Sequence, residues 1–439
     1  MVRSGTILVG LLALGPLHAQ YGGPAVLTRG QSPTGMSPSQ IDFRPYLSLD
    51  FGYDHGLNGV SINPNGAPVD VSSTALDVSG GVSGLHSWKH TTVGLDYRAA
   101  FRHYTGQSYY DGTDQTLLLG VTHMLSRHVV FSLHENAGMF SQSAGAPSLL
   151  QTVPFDPSTT FVPTNDFFDN RTIYVSTQAD LTVQKSTRLS FSIGGDGFLT
   201  RRRSTALYGV SGGGARADVQ YRASRDVTVG AGYTYTHYAF RGIFSGTDLH
   251  AAVGSISTRL SRTVEFGAIA GVAYYDLKIT RTVAVDPVVA AIIGISSVRE
   301  VSYSVNYSPN IAARISKTVP RGIFFVNGGH AITPGNGLFL TSTSTTIGAG
   351  YSYTGLKRWS INVSLYYARS QSQANFVGTY GNLSATASVS RQIMRGTHGV
   401  FNVSVRQYDS PDFRNYNRWS YGVHLGLGFT PGDIPIRLW

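Results

Sequence analysis

The sequence of 439 residues contains no cysteine, so disulfide bonds and thiolate metal sites are excluded. Charged residues are also scarce, because they make up 13% of the chain against roughly a quarter in ordinary soluble domains. The hydrophobic content of 41% is nevertheless unremarkable. This combination is unlike that of a helical membrane protein and unlike that of a typical cytosolic enzyme. It favours β-strands whose two faces meet different surroundings.

Long hydrophobic runs are missing from the chain after residue 19. At the N-terminus, Arg3 precedes an apolar stretch at 7–14 that is too short to span a bilayer as a helix. Ala19 then takes the small-residue position expected before a signal-peptidase cut. We therefore predict a cleaved secretory signal peptide over residues 1–19. A buried N-terminal helix is the alternative.

Large apolar residues alternate with small or polar ones in many parts of the chain. Residues 419–429, WSYGVHLGLGF, place large apolar side chains at every odd position and small or polar ones at every even position. Similar stretches occur at 46–54, 93–101 and 173–183. A period of two over this length is typical of a β-strand with one dry and one wet face. We count about 18 such segments, and 16 is also possible.

The connections between these segments alternate between short and long. Short basic turns, such as those around the Ser-Arg pairs at 126–127 and 224–225, alternate with longer stretches such as 55–74 and 141–171. Such parity is the mark of an up-and-down barrel. A soluble β-sandwich would not require it, although its core aromatic residues could look similar locally.

The formal net charge of +10 lies largely in the short turns. Their Lys and Arg side chains could reach lipid phosphates, or they could be ordinary solvated turn residues. No basic module with interleaved aromatic residues is present, so we expect no nucleic-acid partner.

These patterns together predict an all-β protein, a transmembrane antiparallel up-and-down β-barrel. Lipid contains no water that could hydrogen-bond to the backbone. In a membrane, therefore, only a closed sheet satisfies every backbone N–H and C=O group of the strands. The apolar faces would then meet lipid and the polar faces would line the lumen. The predicted boundaries are a signal peptide at 1–19, a short N-terminal segment at 20–42, the barrel at 43–430 and a C-terminal tail at 431–439.

At its last strand the chain resembles the outer-membrane β-barrel superfamily of Gram-negative bacteria, in a porin-like form. In that family the last strand carries a signal for the barrel-assembly machinery. The signal usually ends the chain, whereas here residues 431–439 follow, which we interpret as a periplasmic tail. The matching residues are Ser420, Gly422, Leu425, Leu427 and Phe429.

The resemblance implies a Gram-negative outer-membrane location and contact with outer-membrane lipid. Porin-like proteins often trimerise, so a homo-oligomer is one expectation. Barrels of 16–18 strands leave an aqueous channel. The leading function is therefore a porin-like channel for passive passage of small hydrophilic solutes, with no catalytic activity, no cofactor and no metal.

Charged residues of both signs fall on the predicted wet faces. They could create a transverse field that selects solutes by charge, or they could form a structural ion-pair network in the wall. The signs roughly balance, so the net charge predicts no anion selectivity. The pore-lining candidates are Asp50, Asp77, Asp96, Arg98, Arg102, Asp180, Asp196, Arg216, Asp218, Glu265, Arg314 and Arg406.

One loop, at 283–297, has the features of a short apolar helix. Asp286 suits the N-cap, Pro287 the first turn and Gly294 the C-terminal cap, while Val288 and Ile292 would share a face. Such a helix could constrict the lumen. It could also pack on neighbouring loops or mediate a subunit contact.

Two other classes of function stay open. Outer-membrane phospholipases use a barrel wall with His-x-Ser and a nearby Asn, and here Ser132, His134 and Asn136 share one strand face in reversed order. The reversed order and single strand argue against a hydrogen-bonded relay. The other class is a non-enzymatic surface scaffold, for adhesion or polymer export, which long external loops would suit.

Overall fold

The computed structural model describes residues 41–57, 70–141, 171–205, 207–285, 288, 291–292, 294–335, 337, 340–353, 358–373, 378–394, 396–411, 417–430 and 434–436. The predicted signal peptide lies outside the described residues. Among the described residues, no helix has the length and apolar character needed to cross a membrane.

Eighteen antiparallel strands form one closed sheet, which confirms the predicted fold and the predicted strand number. Each strand pairs with its neighbours along the chain, and the last of the eighteen returns to the first with Leu47 opposite Phe429 and His55 opposite Tyr421. The strands are β1 (Ile41–Leu57), β2 (Val71–Ser87), β3 (Thr91–Tyr104), β4 (Gly112–Ser126), β5 (Val129–Phe140), β6 (Thr172–Gln184), β7 (Leu189–Arg202), β8 (Val210–Arg222), β9 (Val227–Phe240), β10 (Gly246–Arg259), β11 (Val264–Ala284), β12 (Ser297–Val319), β13 (Gly322–Thr333), β14 (Ser342–Tyr353), β15 (Trp359–Ser372), β16 (Thr379–Met394), β17 (Thr397–Asp409) and β18 (Arg418–Phe429).

The two faces of each strand have opposite environments. On β18, Leu425 is 66% exposed on the outside, whereas Ser420 on the other face is 6% exposed. On β1, Phe51 is 62% exposed and Ser48 is 1% exposed. Because a strand turns alternate side chains to opposite faces, the sequence alternation becomes an apolar outer surface around a polar interior.

The apolar outer band has the height of a bilayer core. On β18 it runs from Trp419 to Phe429, and both side chains are about half exposed. At the rise of a β-strand this interval is about 33 Å long, and the usual tilt of barrel strands reduces it to a height of roughly 25 Å.

One end of the barrel, the short-turn end, carries connections from the two-residue turn 127–128 to the five-residue turn 354–358. The recurrent serine of these turns has a structural role. The Oγ of Ser224 accepts a hydrogen bond from the backbone N–H of Val227, and the Oγ of Ser261 accepts one from Val264, both at 3.1 Å. Side-chain acceptors of this kind close tight turns between strands.

The opposite end, the long-loop end, carries the longer connections, up to residues 141–171. Here β11 and β12 extend well beyond the neighbouring strands. The outward face of β11 is apolar as far as Tyr274 and then continues with Asp276 and Lys278. Apolar alternation therefore stops before the strand does.

A nineteenth strand, β19 (Ile434–Ile436), lies within the predicted C-terminal tail. It pairs with residues 41–43 at the start of β1. β1 therefore begins at Ile41, whereas its pairing with the barrel strand β2 begins at Arg44. Pro435 fits a short edge strand because it has no N–H to donate.

Candidate functional site

The interior of the barrel contains all twelve charged residues that the sequence assigned to the lumen. Each lies on the face of its strand opposite the exposed apolar side chains. Several of them are packed into the wall, because Asp77, Arg98 and Asp180 are each 8% exposed and Arg406 is 5% exposed. Their placement is described by the structure, whereas their role in lining a pore stays a prediction.

Five side chains form a closed ring, the seam ring, across the junction of β18 with β1, β2 and β3. His424 Nε2 lies 3.0 Å from Asp54 Oδ1, and the Tyr104 hydroxyl donates to Asp54 Oδ2 at 2.9 Å. Arg102 Nη1 is 3.5 Å from the Tyr104 hydroxyl, and Arg102 binds both oxygens of Asp77. His424 Nδ1 closes the ring, 3.4 Å from Asp77 Oδ2.

Glycines make room for the seam ring. A Cβ atom on Gly52 would collide with the His424 ring, and one on Gly422 would collide with Asp54. Both nitrogens of His424 face carboxylate oxygens, and ionised carboxylates only accept hydrogen bonds. This geometry fits the doubly protonated imidazolium, so the ring balances two positive groups against two carboxylates.

Two further ion pairs lie on the interior. Arg98 binds Asp96 on the same strand, with Nη2 at 2.6 Å from Oδ2. Arg216 of β8 binds both oxygens of Asp180 on β6. Arg216 thus reaches across β7 to a residue of another strand, which no spacing along the chain indicates. We call the inward faces of β18, β1–β3, β6 and β8 the charged wall.

The remaining predicted lumen residues have weaker or different contacts. Asp50 accepts a hydrogen bond from Ser48 at 2.9 Å. Glu265 lies 3.4 Å from the exposed Arg259 near the short-turn end. The Arg314 guanidinium lies over a ring of the neighbouring strand, 5.4 Å from the centroid of Phe325. Asp196, Asp218 and Arg406 take part in further interactions of the interior.

A segment that the sequence analysis did not single out folds into the barrel. It is the end of the β13–β14 hairpin, described at residues 331–335, 337 and 340–344, which we call the inward hairpin. Pairing of β12 with β13 stops at His330, whereas β13 and β14 remain paired as far as Thr333 and Ser342. Beyond His330 the hairpin therefore leaves β12.

Apolar contacts join the inward hairpin to the interior wall. Ile332 packs in a buried cluster with Tyr275 and Leu277 of β11. Leu340 is 8% exposed and packs among inward side chains of β7–β9, including Phe198 and Tyr238. Because β8 lies six strands from β14 in the sheet, the hairpin crosses part of the interior.

Hydrogen bonds hold the same segment. The hydroxyls of Thr341 and Thr247 are 2.7 Å apart, and both residues are almost fully buried. The backbone N–H of Tyr208 donates to the carbonyl of Gly337 at 3.0 Å. A run of apolar residues in a loop, Leu338-Phe339-Leu340 after Pro334-Gly335, is the sequence signal that could have indicated this packing.

The loop at 283–297, predicted to constrict the lumen, is described only in part, and its role as a constriction stays a prediction. Val288, Ala291 and Ile292 have helical backbone, and Val288 and Ile292 are 70% and 79% exposed. Gly294 has the left-handed conformation expected of a C-terminal cap, with φ of 69°. Asp286 and Pro287 lie outside the described residues. The inward-packed segment that the structure shows is therefore the β13–β14 hairpin.

The residues considered for catalysis lie on the interior face of β5. Asn136 accepts a hydrogen bond from the Tyr174 hydroxyl at 3.1 Å, which ties it to the neighbouring strand β6. Within the described part of the chain, no group of three or more histidine and acidic side chains could hold a metal ion.

The residues of the predicted assembly signal lie on both faces of β18. Ser420 faces inward beside Gly422, and Leu425, Leu427 and Phe429 face outward, each about half exposed or more. Their recognition by an assembly machinery stays a prediction.

No protein-family model matches the sequence, and neither does any curated protein. The chain is similar to solved structures of porins, at low sequence identity. OccAB4 from Acinetobacter baumannii is 11% identical over 90% of this chain and 98% of its own, with a TM-score of 0.39. A BenF-like porin from Pseudomonas fluorescens Pf-5 is 9% identical over 90% and 99%, with a TM-score of 0.42. OccK2 (OpdF) from Pseudomonas aeruginosa, in complex with glucuronate, is 8% identical over 89% and 98%, with a TM-score of 0.40. Similarity at this level carries no information on the solute of this chain.

Proposed function

We propose that this protein is a porin-like channel of the Gram-negative outer membrane that lets small hydrophilic solutes pass by diffusion. The observation that supports this most directly is the closed 18-stranded sheet with an apolar outer band and a polar interior. A barrel of this strand number encloses more space than its wall side chains fill. It is not an enzyme in this proposal.

The membrane location and the topology are part of the same proposal. The N-terminal signal peptide would direct export and then be cleaved, and the assembly machinery would recognise β18. Outer-membrane barrels have short periplasmic turns, so the short-turn end would face the periplasm and the long loops the exterior. Outer-membrane lipid would contact the apolar band. Self-association into a homo-oligomer belongs to the proposal as well.

The inward hairpin would set the width of the channel. Its contacts with β7–β11 cover that part of the interior, so solutes would pass beside it, along β14–β18 and β1–β6. Leu340 is its main apolar anchor, because four side chains of the opposite strands surround it in a buried cluster.

Single-channel recording in planar bilayers tests the proposal. The purified full chain should give discrete conductance steps. Leu340→Gln should release the hairpin tip, because it places a polar amide in an apolar cluster, and should raise the single-channel conductance. Leu425→Gln, on the outer face, is the matched control and should leave the conductance at the wild-type value. Absence of any conductance step from the folded protein would contradict the channel function.

The orientation of the wall has a separate test. Since the chain has no cysteine, single cysteines can be introduced without background. A lipid-dissolved thiol reagent should react at the outward positions 363, 365 and 367 of β15, and a water-soluble reagent at the inward positions 362, 364 and 388 of β15 and β16. The reverse pattern would contradict the membrane arrangement.

A further inference from the structure

We infer that the solute of this channel is an uncharged molecule rich in hydroxyl groups, of the sugar or polyol class, and that it moves along the inward faces of β14–β16. This inference rests on the proposed channel function and adds the substrate class to it. It follows from the contrast between these three strands and the charged wall.

The inward faces of β14, β15 and β16 form what we call the uncharged wall. These three strands are fully described, and their inward positions contain no Asp, Glu, Lys or Arg. The positions alternate with outward residues such as Val363 and Leu365, which are 46% and 49% exposed. The inward residues are mostly Ser, Thr and Asn. Representative members at the middle of the wall are Asn362, Ser364, Tyr366, Ser384, Thr386 and Ser388.

Two central hydroxyls of the uncharged wall, those of Ser364 and Thr386, retain hydrogen-bonding capacity. The hydroxyls of Ser364 and Thr386 are 2.5 Å apart across β15 and β16. Each hydroxyl offers one donor and two acceptor positions, so one shared bond leaves most of this capacity unused.

An aromatic side chain stands among these groups. Tyr366 lies beside Gly348, where an added Cβ would be 3.5 Å from the tyrosine ring. The side-chain oxygen of Asn327 lies 2.8 Å from the same Cβ position, so an amide and the tyrosine ring are neighbours at this point of the wall. The flat apolar ring beside hydroxyls and amides matches a sugar, which has C–H groups on its faces and hydroxyls on its rim. A small ion would make no favourable contact with such an apolar ring.

The charged wall does not provide a site for an ionic solute. Six of its charged side chains are in contact in pairs, namely the Arg102–Asp77, Arg98–Asp96 and Arg216–Asp180 pairs. Opposite charges held together in this way cancel over short distances, so they do not form a transverse field between separate walls. A solute carboxylate or ammonium group would have to displace an existing partner.

An uncharged polyhydroxylated solute can pass at little cost in free energy. It exchanges hydrogen bonds with water for hydrogen bonds with wall hydroxyls and amides, and such exchanges are nearly neutral. Selectivity in a pore comes from the donors and acceptors that line it and from its charge. Both features of this interior favour the same class of solute.

The test uses the full-chain protein in two assays. Proteoliposomes should swell in isosmotic glucose, and sucrose should reduce the ion current of single channels in a concentration-dependent manner. The reversal potential in a potassium chloride gradient should stay near zero, because the wall attracts neither ion. Tyr366→Ala combined with Thr386→Val should raise the sucrose concentration for half-block about fivefold or more, as expected for loss of one or more hydrogen bonds at roughly 1 kcal/mol each.

The control and the other outcomes separate this inference from the proposed function. Tyr367→Ala, one residue along β15 on the outer face, should leave the sucrose block at the wild-type value. A conducting channel that is strongly ion-selective and admits no sugar would overturn the inference and leave the channel function standing. Sugar block unaffected by the double variant would also overturn it, since the uncharged wall would not be the path. A folded barrel with neither ion current nor sugar entry would overturn both.

Discussion

The charged wall and the uncharged wall follow the same alternating pattern, yet they stabilise the barrel in different ways. In the seam ring each charged group depends on an oppositely charged neighbour, because burial in a low-dielectric interior makes an unpaired charge costly. Hydroxyl pairs such as Ser364–Thr386 lose little when one partner is replaced. The comparison teaches that polar alternation alone does not indicate where the wall depends on specific partners.

The largest difference between the two walls is expected at Asp77. Asp77→Ala leaves Arg102 and His424 facing each other without their shared carboxylate. Loss of one partner of a buried pair usually lowers the free energy of unfolding by about 3–5 kcal/mol. Urea unfolding of the protein in lipid vesicles measures this free energy, with heat-modifiable gel mobility as the readout of the folded fraction. Asp50→Ala, opposite Asp77 in the sheet, is the control and should lower the free energy of unfolding less. Equal losses would contradict the assigned role of the seam ring.

The coupling of Asp180 with Arg216 sharpens the comparison. A double-mutant cycle with alanine at both positions should give a coupling energy of about 1.5–3 kcal/mol, as for hydrogen bonds between charged groups. The matched cycle of Ser364→Ala and Thr386→Ala in the uncharged wall should give roughly 1 kcal/mol or less. If the two cycles gave the same coupling, the distinction between the walls would not hold.

A smaller effect is expected at the tip of the inward hairpin. Gly337 has φ of 89°, and a Cβ there would lie 2.5 Å from Arg202 Nε and 3.0 Å from the carbonyl oxygen of Tyr208. A left-handed conformation costs a non-glycine residue roughly 1–2 kcal/mol. Gly337→Ala should therefore loosen the tip and raise single-channel conductance. Gly106→Ala, also left-handed but in open space, is the control for backbone strain alone. Its conductance should match that of the wild type.

The smallest effect is expected at Ser388 in the uncharged wall. Ser388→Ala should change the free energy of unfolding by no more than about 0.5 kcal/mol, because no buried charge depends on this hydroxyl. Sucrose block of the current should weaken in the same variant. A large loss of stability in urea unfolding would show that the uncharged wall contains a structural network of its own.

Much of the fold could be predicted from local patterns. The two-residue period at 419–429 and its counterparts placed the strands, their faces and their number correctly. The short turns were also identified, and the structure adds why Ser224 and Ser261 recur in them. By contrast, the end of β11 was not predictable from apolar alternation, since this strand continues past the apolar band with the polar outward residues Asp276 and Lys278.

The candidate site was predictable only in part. The faces of the twelve charged residues follow from alternation, but their partners do not, because Arg216 binds a residue of a strand two places away. The helical backbone of the loop at 283–297 was predictable from local helix signals, whereas the hairpin that enters the barrel is held by side chains of distant strands. Leu340 illustrates this, since its neighbours come from β7, β8 and β9.

The sequence alone determined that the chain forms strands with an apolar outer face and a polar inner face. It also determined a closed sheet of about 18 strands. These properties follow from a side-chain period that acts between near neighbours and from the need to pair every backbone group in lipid. Only the tertiary structure decided which charges meet across the sheet, which part of the interior is free of charge and which hairpin turns inward. Those features depend on strand register and on contacts between residues far apart in the chain, and no local pattern encodes them.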